Sequence, residues 1–310
     1  MMDEKRRSFD ILAPISLAPM GLLRISVGFL AVLGCLLDWP RLQMFFGPAA
    51  FPSIEDEVLL HHSARFSLLF FLPHTELSTT LVWAGALLSA VLLCIGWRSR
   101  LSAIVLYVLL TSLYQRNLEV LNSGDTLLRA YVLLLACSDA GKVFSLDAWL
   151  DGRRSWQSQW QLQGPSLAQR MIQVQLAAVY CQAALSKLPG STWQDGTAVY
   201  YATHLVEYQK FSIPYIFENL AIVKFLSWAS LAIEMALFTL VWFQPWRYFV
   251  LSLGLILHLG IDWCMNIPLF EYYMIAGYIC FLDADFLRCS LERFGSLITS
   301  PWHKNLLPDS

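Results

Sequence analysis

Charged residues are scarce in this sequence. Only 14% of its 310 positions are Asp, Glu, Lys or Arg, against about 25% in an ordinary soluble domain. So few charges cannot cover a water-facing surface, and 57% of the chain is hydrophobic, with a mean hydropathy of +0.53. The net charge of -2 gives no field of one sign, and no basic-aromatic surface suggests a nucleic-acid partner. CxxC, GxSxG, HExxH, Walker A and GxGxxG are all missing, so no motif points to a redox dithiol, a serine hydrolase, a zinc protease or a nucleotide site. The seven cysteines (Cys35, Cys94, Cys137, Cys181, Cys264, Cys280, Cys289) are scattered, mostly in apolar runs, and read as free thiols. The histidines match no metal-ligand spacing, so no metal is expected. There is no internal repeat, no low-complexity tract and no separate soluble domain.

What is abundant is apolar sequence in blocks. A spanning helix needs roughly 20 mostly apolar residues. About eight candidates lie near 19–38, 78–96, 101–115, 125–138, 168–188, 220–242, 246–264 and 269–283. The third, fourth and eighth are short and suit tilted helices or helices buried among others. The basic start followed by an apolar stretch resembles a signal peptide, but the stretch carries Arg24 and has no small-residue cleavage site, so an uncleaved first helix is expected. The fold class is therefore an all-α, polytopic membrane bundle. It divides into a tail (1–18), a membrane domain (19–285) and a second tail (286–310).

Lys and Arg in short loops set orientation. With the N-terminus inside, the inner segments hold Lys5, Arg6, Arg7, Arg98, Arg100, Lys142, Arg153, Arg154, Arg247, Arg288, Arg293 and Lys304, whereas the outer ones hold Arg41, Arg65, Arg116, Lys210 and Lys224. This bias predicts both termini in the cytoplasm of a multi-pass protein, placed here in a bacterial inner membrane. The long outer loops, 39–77 and 189–219, contain His61, His62, His74, Trp193, Asp195, His204 and Pro214. The inner loop 139–167 reads as a partly amphipathic connector.

A charge at mid-bilayer costs about 2.5–3.5 kcal/mol on insertion scales, so each intramembrane polar residue is a functional candidate. Gln173, Tyr180 and Lys187 are seven apart, a step that drifts only about 20° around a helix, so they form one stripe facing the bundle interior. Lys187 stands at its outer end, where it can act as a base in a poorly solvated pocket or snorkel to the interface. Asn122-Ser123-Gly124 is turn chemistry, and Asp125 suits an N-cap. Asp125 and Arg129 are spaced to pair along one face, and Arg116 and Asn117 end the preceding helix at the same outer level. His258 and Asp262 lie one turn apart, a pair that can fix an imidazole tautomer. Glu234 shares a stripe with Ser227 and Ser230 near mid-membrane, where it is expected either to pair with Arg24 or Arg129 or to be protonated.

Three segments carry a resemblance. They are GWRSRLSAIVLYVLLTSLYQRNLEVLNSGDTLLR followed by FSLDAWL, RMIQVQLAAVYCQAALSKLPGSTWQDGTAVYYA, and HLGIDWCMNIPLFEYYMIAGYICFL. With the RISVGFLAVL opening they resemble the HTTM domain, the membrane part of the vitamin K-dependent γ-carboxylase family, over most of 19–285. The Tyr180-to-Lys187 stretch followed by W-x-D-G is the most specific part. In the carboxylases the matching lysine deprotonates reduced vitamin K. Oxygen then adds, and the strong base so formed removes a γ-proton from a glutamate, which captures carbon dioxide. The resemblance implies the base role for Lys187, matches the family's intramembrane histidine to His258, and places Asn117 and Asp125 beside the pocket. It implies a reduced quinone, such as vitamin K hydroquinone, as cofactor. Two departures bear on this. The carboxylases carry a large lumenal portion that grips the substrate's propeptide, whereas only about 25 residues follow the last helix here. Ser186-Lys187 stands where they tend to have two lysines. Protein glutamate carboxylation is therefore not expected, while oxidation of a quinol or other lipid-phase substrate is.

The leading expectation is a membrane oxygenase or epoxidase on a quinone-like or lipid substrate, serving in maturation of a secreted peptide or metabolite. Lys187 would be the base, with His258 beside it in catalysis. Asn117, Asp125, Arg129, Tyr180, Trp193 and Asp262 would line or orient the substrate. The competing readings are a non-catalytic binding protein, a transporter, for which no inverted repeat is visible, and an assembly partner of a peptide-export or immunity system. The bilayer is the one partner the sequence names.

Overall fold

The computed structural model describes residues 13–53, 56, 65–152, 155–211 and 215–303. The first twelve residues, His61, His62, Arg153, Arg154, Pro214 and Lys304 lie outside the described residues. The fold is all-α. Each of the eight expected stretches is helical: α1 (Ala18–Asp38), followed by the short α2 (Leu42–Phe46), α3 (Glu76–Ile95), α4 (Ser99–Arg116) and α5 (Ser123–Ala136) form the first half. The connector at 139–167 contains α6 (Leu146–Leu150) and α7 (Trp156–Trp160). Then come α8 (Leu167–Lys187), the short α9 (Ser191–Gln194) and α10 (Ala198–His204), α11 (Leu220–Thr239), α12 (Gln244–Cys264), α13 (Phe270–Tyr278) and α14 (Ala284–His303). The strands among the described residues are β1 (Ile15–Ser16) and β2 (Gln163–Gly164), an antiparallel pair that ties the start of α1 to the start of α8.

Among the described residues, four segments are long and apolar enough to cross a bilayer by length and composition: Ala18–Phe46, Glu76–Ile95, Leu220–Trp242 and Gln244–Cys264. α4 and α8 reach the length but are more polar, and α5 and α13 are short, about 21 Å and 14 Å at 1.5 Å per residue. The polar and short helices pack inside. α13 touches α1, α5, α8 and α12, and α8 lies against α5 and α11. The outside is apolar: Leu81, Leu88, Phe225, Phe249 and Ile256 are all more than half exposed, while Arg24, Arg116, Glu234, His258 and Glu271 are buried. This inversion of the soluble pattern fits a lipid surround.

Local signals explain the helix ends. Thr75 Oγ1 accepts from Ser78 N at the start of α3, and Asn219 Oδ1 accepts from Ala221 and Ile222 at the start of α11. The last carbonyls of α3 lack intrahelical donors, and the buried Arg24 guanidinium supplies them. It donates to Leu93 O at 2.6 Å and Cys94 O at 2.8 Å, and to Phe144 O at 2.6 Å. One arginine thus ties α1, α3 and the connector together. One turn along α1, Gly28 lets the α3 backbone come close, since a Cβ there would stand 2.6 Å from Cys94 N and Cα. Gly28→Val is expected to force the helices apart and cost about 1–3 kcal/mol or more, read as a lowered thermal midpoint in bicelles. An unchanged midpoint would mean that the α1–α3 contact is not tight.

Candidate functional site

α8 carries the predicted stripe, and all three of its members face the interior as expected. Towards the N-terminal end, Gln173 Nε2 donates to Cys280 O at 2.7 Å, beside Gln169 Nε2 at 2.8 Å from the same carbonyl. Tyr180 is buried in the middle. Lys187 closes the C-terminal end, two turns and about 10 Å further along the axis than Tyr180.

Lys187 does not end in water. Its Nζ forms an ion pair with Glu234 Oε1 of α11, where the Glu234 side chain is 8% exposed and that of Lys187 26%. Neither Arg24 nor Arg129 is the partner of Glu234. The cation that reaches it belongs to the neighbouring helix α8. Nζ also lies over the Trp193 ring, 4.9 Å from its centroid, a cation–π contact. The W-x-D-G segment builds this wall. Asp195 Oδ1 accepts from Thr197 N at 2.8 Å and Thr197 Oγ1 at 2.6 Å, bonds that hold its carboxyl below the usual range. Gly196 takes φ +82°, open to glycine, and a Cβ there would run into Lys224 and Trp228. Trp228 Nε1 donates to Trp193 O at 3.2 Å. The motif is a turn that sets an indole face under an ammonium. On the same two helices an open cleft of about 290 Å³ is lined by Val174, Ala178, Cys181, Phe238 and Trp242 among others.

A second polar group sits deeper. His258 Nε2 lies 2.6 Å from Tyr180 Oη, and Tyr180 Oη 2.6 Å from Tyr278 Oη. His258 Nδ1 meets Glu271 Oε2 of α13. All four side chains are buried. A carboxylate only accepts, so with Glu271 ionised Nδ1 donates to it. Nε2 then accepts from Tyr180, and Tyr278 donates to Tyr180. The carboxylate fixes the tautomer and ring orientation, as in other acid–base sites.

Several predicted site residues do other work. Asp262 does not pair with His258, because α13 folds back and puts Glu271 on Nδ1. Asp262 Oδ1 instead meets Lys210 Nζ at 3.1 Å, and its Oδ2 accepts from Tyr272 at 3.1 Å, where the 205–211 segment crosses the end of α12 through the Gln209–Met265 bridge. Asp125 is not the N-cap of α5. Asn122 is, and Asp125 completes the capping box by accepting from Asn122 N at 2.9 Å. Arg129 lies 5.7 Å from the Tyr114 ring centroid and 3.5 Å from Thr126 Oγ1 rather than on Asp125. Asn117 Nδ2 donates to Phe45 O and Phe51 O at 3.0 and 3.1 Å, pinning the chain at 45–51. The structure thus brings together Lys187, Tyr180, Trp193 and His258 on or against α8, and leaves Asn117, Asp125 and Asp262 on loop and cap contacts and Arg129 against the Tyr114 ring.

The family model of the HTTM domain matches residues 12–286, nearly the whole chain. The chain belongs to the HTTM domain family. No curated protein and no solved structure matches it. The HTTM domain is a membrane domain associated with vitamin K-dependent carboxylase-like proteins, so the likeness carried by the three segments holds and the chain is a membrane protein. Within this HTTM chain, Glu271 and Tyr278 are the site residues that sequence reasoning missed. The signal for Glu271 was present: an acid in the otherwise apolar FEYYMIAGY is costly in a bilayer unless it has a partner.

Proposed function

We propose that this HTTM protein is a membrane enzyme acting on a lipid-soluble hydroxyl compound of the quinol type, with Lys187 as the base that takes the hydroxyl proton. Oxygenation or epoxidation of the resulting anion, with dioxygen as oxidant, is the reaction class, and maturation of a secreted peptide or metabolite is its setting. One observation carries the reading: Lys187 Nζ is held between a buried carboxylate and an indole face at the end of a buried helix stripe, yet keeps a part-exposed approach. A lysine that only snorkelled would extend to the interface rather than turn to a buried partner.

The residues present suit a reduced quinone. When bound, it would supply the acidic hydroxyl and the oxygen-reactive ring. Trp193 offers a face for a flat ring, and the cleft between α8 and α11 is apolar enough for a tail. Lys187 receives the proton and stays next to the anion it creates. The chain Glu271–His258–Tyr180–Tyr278 fixes the orientation of the α8 stripe. The Lys and Arg bias of the loops supports both termini on the cytoplasmic side of a bacterial inner membrane, which puts Lys187 towards the other face. The test is product formation from reduced vitamin K and oxygen by purified wild-type and Lys187→Met proteins. Equal rates would remove Lys187 from the mechanism.

A further inference from the structure

We propose that Glu234 is the final acceptor of the proton that Lys187 removes, so that the two act as one charge-conserving dyad. The inference rests on the reading of Lys187 as a base and adds the residue that takes its proton.

A lone lysine base starts as a neutral amine and ends as an ammonium beside an oxyanion. That creates two charges where water is scarce, and burying charge is expensive. With Glu234 in contact, the same event starts from an ammonium–carboxylate pair and ends as an ammonium–oxyanion pair. Nζ first passes one of its own protons to Glu234, forming an O–H bond there, and the lone pair so freed takes the substrate proton as the substrate O–H bond breaks. No electron pair leaves the site, no further reactant is needed, and the number of charges stays the same. The surroundings favour this end state. Glu234 Oε2 is buried without a hydrogen-bond partner among the described residues. That oxygen is therefore open to take a hydrogen without losing an existing bond. The serines of the same stripe are occupied: Ser227 Oγ accepts from Val199 N at 3.0 Å and Ser230 Oγ donates to Ser227 O at 2.9 Å. Among the described residues Lys187 is the only cation within ion-pair distance of Glu234. The indole of Trp193 keeps a preference for the ammonium at Nζ throughout.

A structural staple between α8 and α11 would show the same ion pair, and the two roles part on where a proton rests. The experiment uses the full chain in lipid nanodiscs with an alkyl-substituted nitrophenol, whose phenolate is coloured. Bound dye is expected as phenolate in the wild type and in Lys187→Arg, which keeps the counter-cation. In Glu234→Gln the phenolate signal should be lost, and Glu234→Asp should restore part of it. Phenolate that survives Glu234→Gln and vanishes in Lys187→Arg would overturn the inference and leave Lys187 as sole acceptor. Dye that stays protonated on the wild type, or fails to bind it, would overturn both readings. A staple alone would lower thermal midpoints without changing the dye, which also overturns the inference. Wild-type protein gives a check that needs no variant: dye binding should add the infrared C=O band of a protonated carboxylic acid, and its absence would count against Glu234.

Discussion

Lys187→Met is expected to lower the turnover of a reduced quinone with oxygen by about 10²–10⁴-fold, the usual worth of a positioned general base. Methionine matches lysine in length and keeps the Trp193 face and the apolar cleft covered, so substrate binding should change little. The loss should then fall on kcat rather than KM. The substitution has a side effect that must be separated from catalysis. It leaves Glu234, whose side chain is 8% exposed, as a buried carboxylate without its cation, and breaking such a pair from one side costs about 3–5 kcal/mol. Lys187→Met combined with Glu234→Gln removes that penalty. The double variant should regain thermal stability and remain inactive. Activity that returns together with stability would show that Lys187 matters for folding alone.

Most of the architecture could be read from the sequence because the bilayer imposes it. Apolar blocks near 20 residues become helices, and Gln173, Tyr180 and Lys187 share a face by helix geometry alone. The partners across helices were another matter. The (i, i+4) rule pairs Asp125 with Arg129 and His258 with Asp262, yet in each case a group from a distant segment wins. Tyr114 of α4 lies under Arg129, and Glu271 of α13 takes His258. Local spacing ranks neighbours on one helix but carries no information on what the next helix presents. Glu234 shows the same limit. Its burial was foreseeable from its place in an apolar helix, whereas its partner depended on α8 and α11 packing side by side with Lys187 in the last turn of one and Glu234 in the second turn from the C-terminal end of the other. The family resemblance placed Asn117 beside the pocket, and Arg116 precedes it at the end of α4. Both are spent on backbone carbonyls of residues 45–52, the satisfaction that irregular chain needs when it is buried.

Glu271→Leu is expected to destabilise the protein by about 3–5 kcal/mol, the cost of removing one partner from a buried charged network. The reason lies in the order of donors. Glu271 fixes Nδ1 as the protonated nitrogen, and only then can Nε2 accept from Tyr180 and Tyr180 from Tyr278. Without the carboxylate, Nδ1–H points at a leucine; a neutral imidazole that moves its proton to Nε2 reverses the bond to Tyr180, whose hydroxyl then accepts, but leaves the Nδ1 lone pair against the leucine. Either outcome leaves a buried polar atom unmet, at about 1–3 kcal/mol, on top of the lost pair. Glu271→Gln keeps an acceptor and the shape, so it should cost far less. Tyr180→Phe removes one hydroxyl from the middle of the chain and should fall between the two. The deciding measurement is a double-mutant cycle on thermal unfolding in bicelles. If the network acts as a unit, Glu271→Leu with His258→Leu should cost clearly less than the sum of the single changes, by about 0.5–3 kcal/mol, because each single change strands what the other removes. Strict additivity would mean that His258 and Glu271 sit side by side without coupling, and the fixed tautomer that orients the α8 stripe would then have no support.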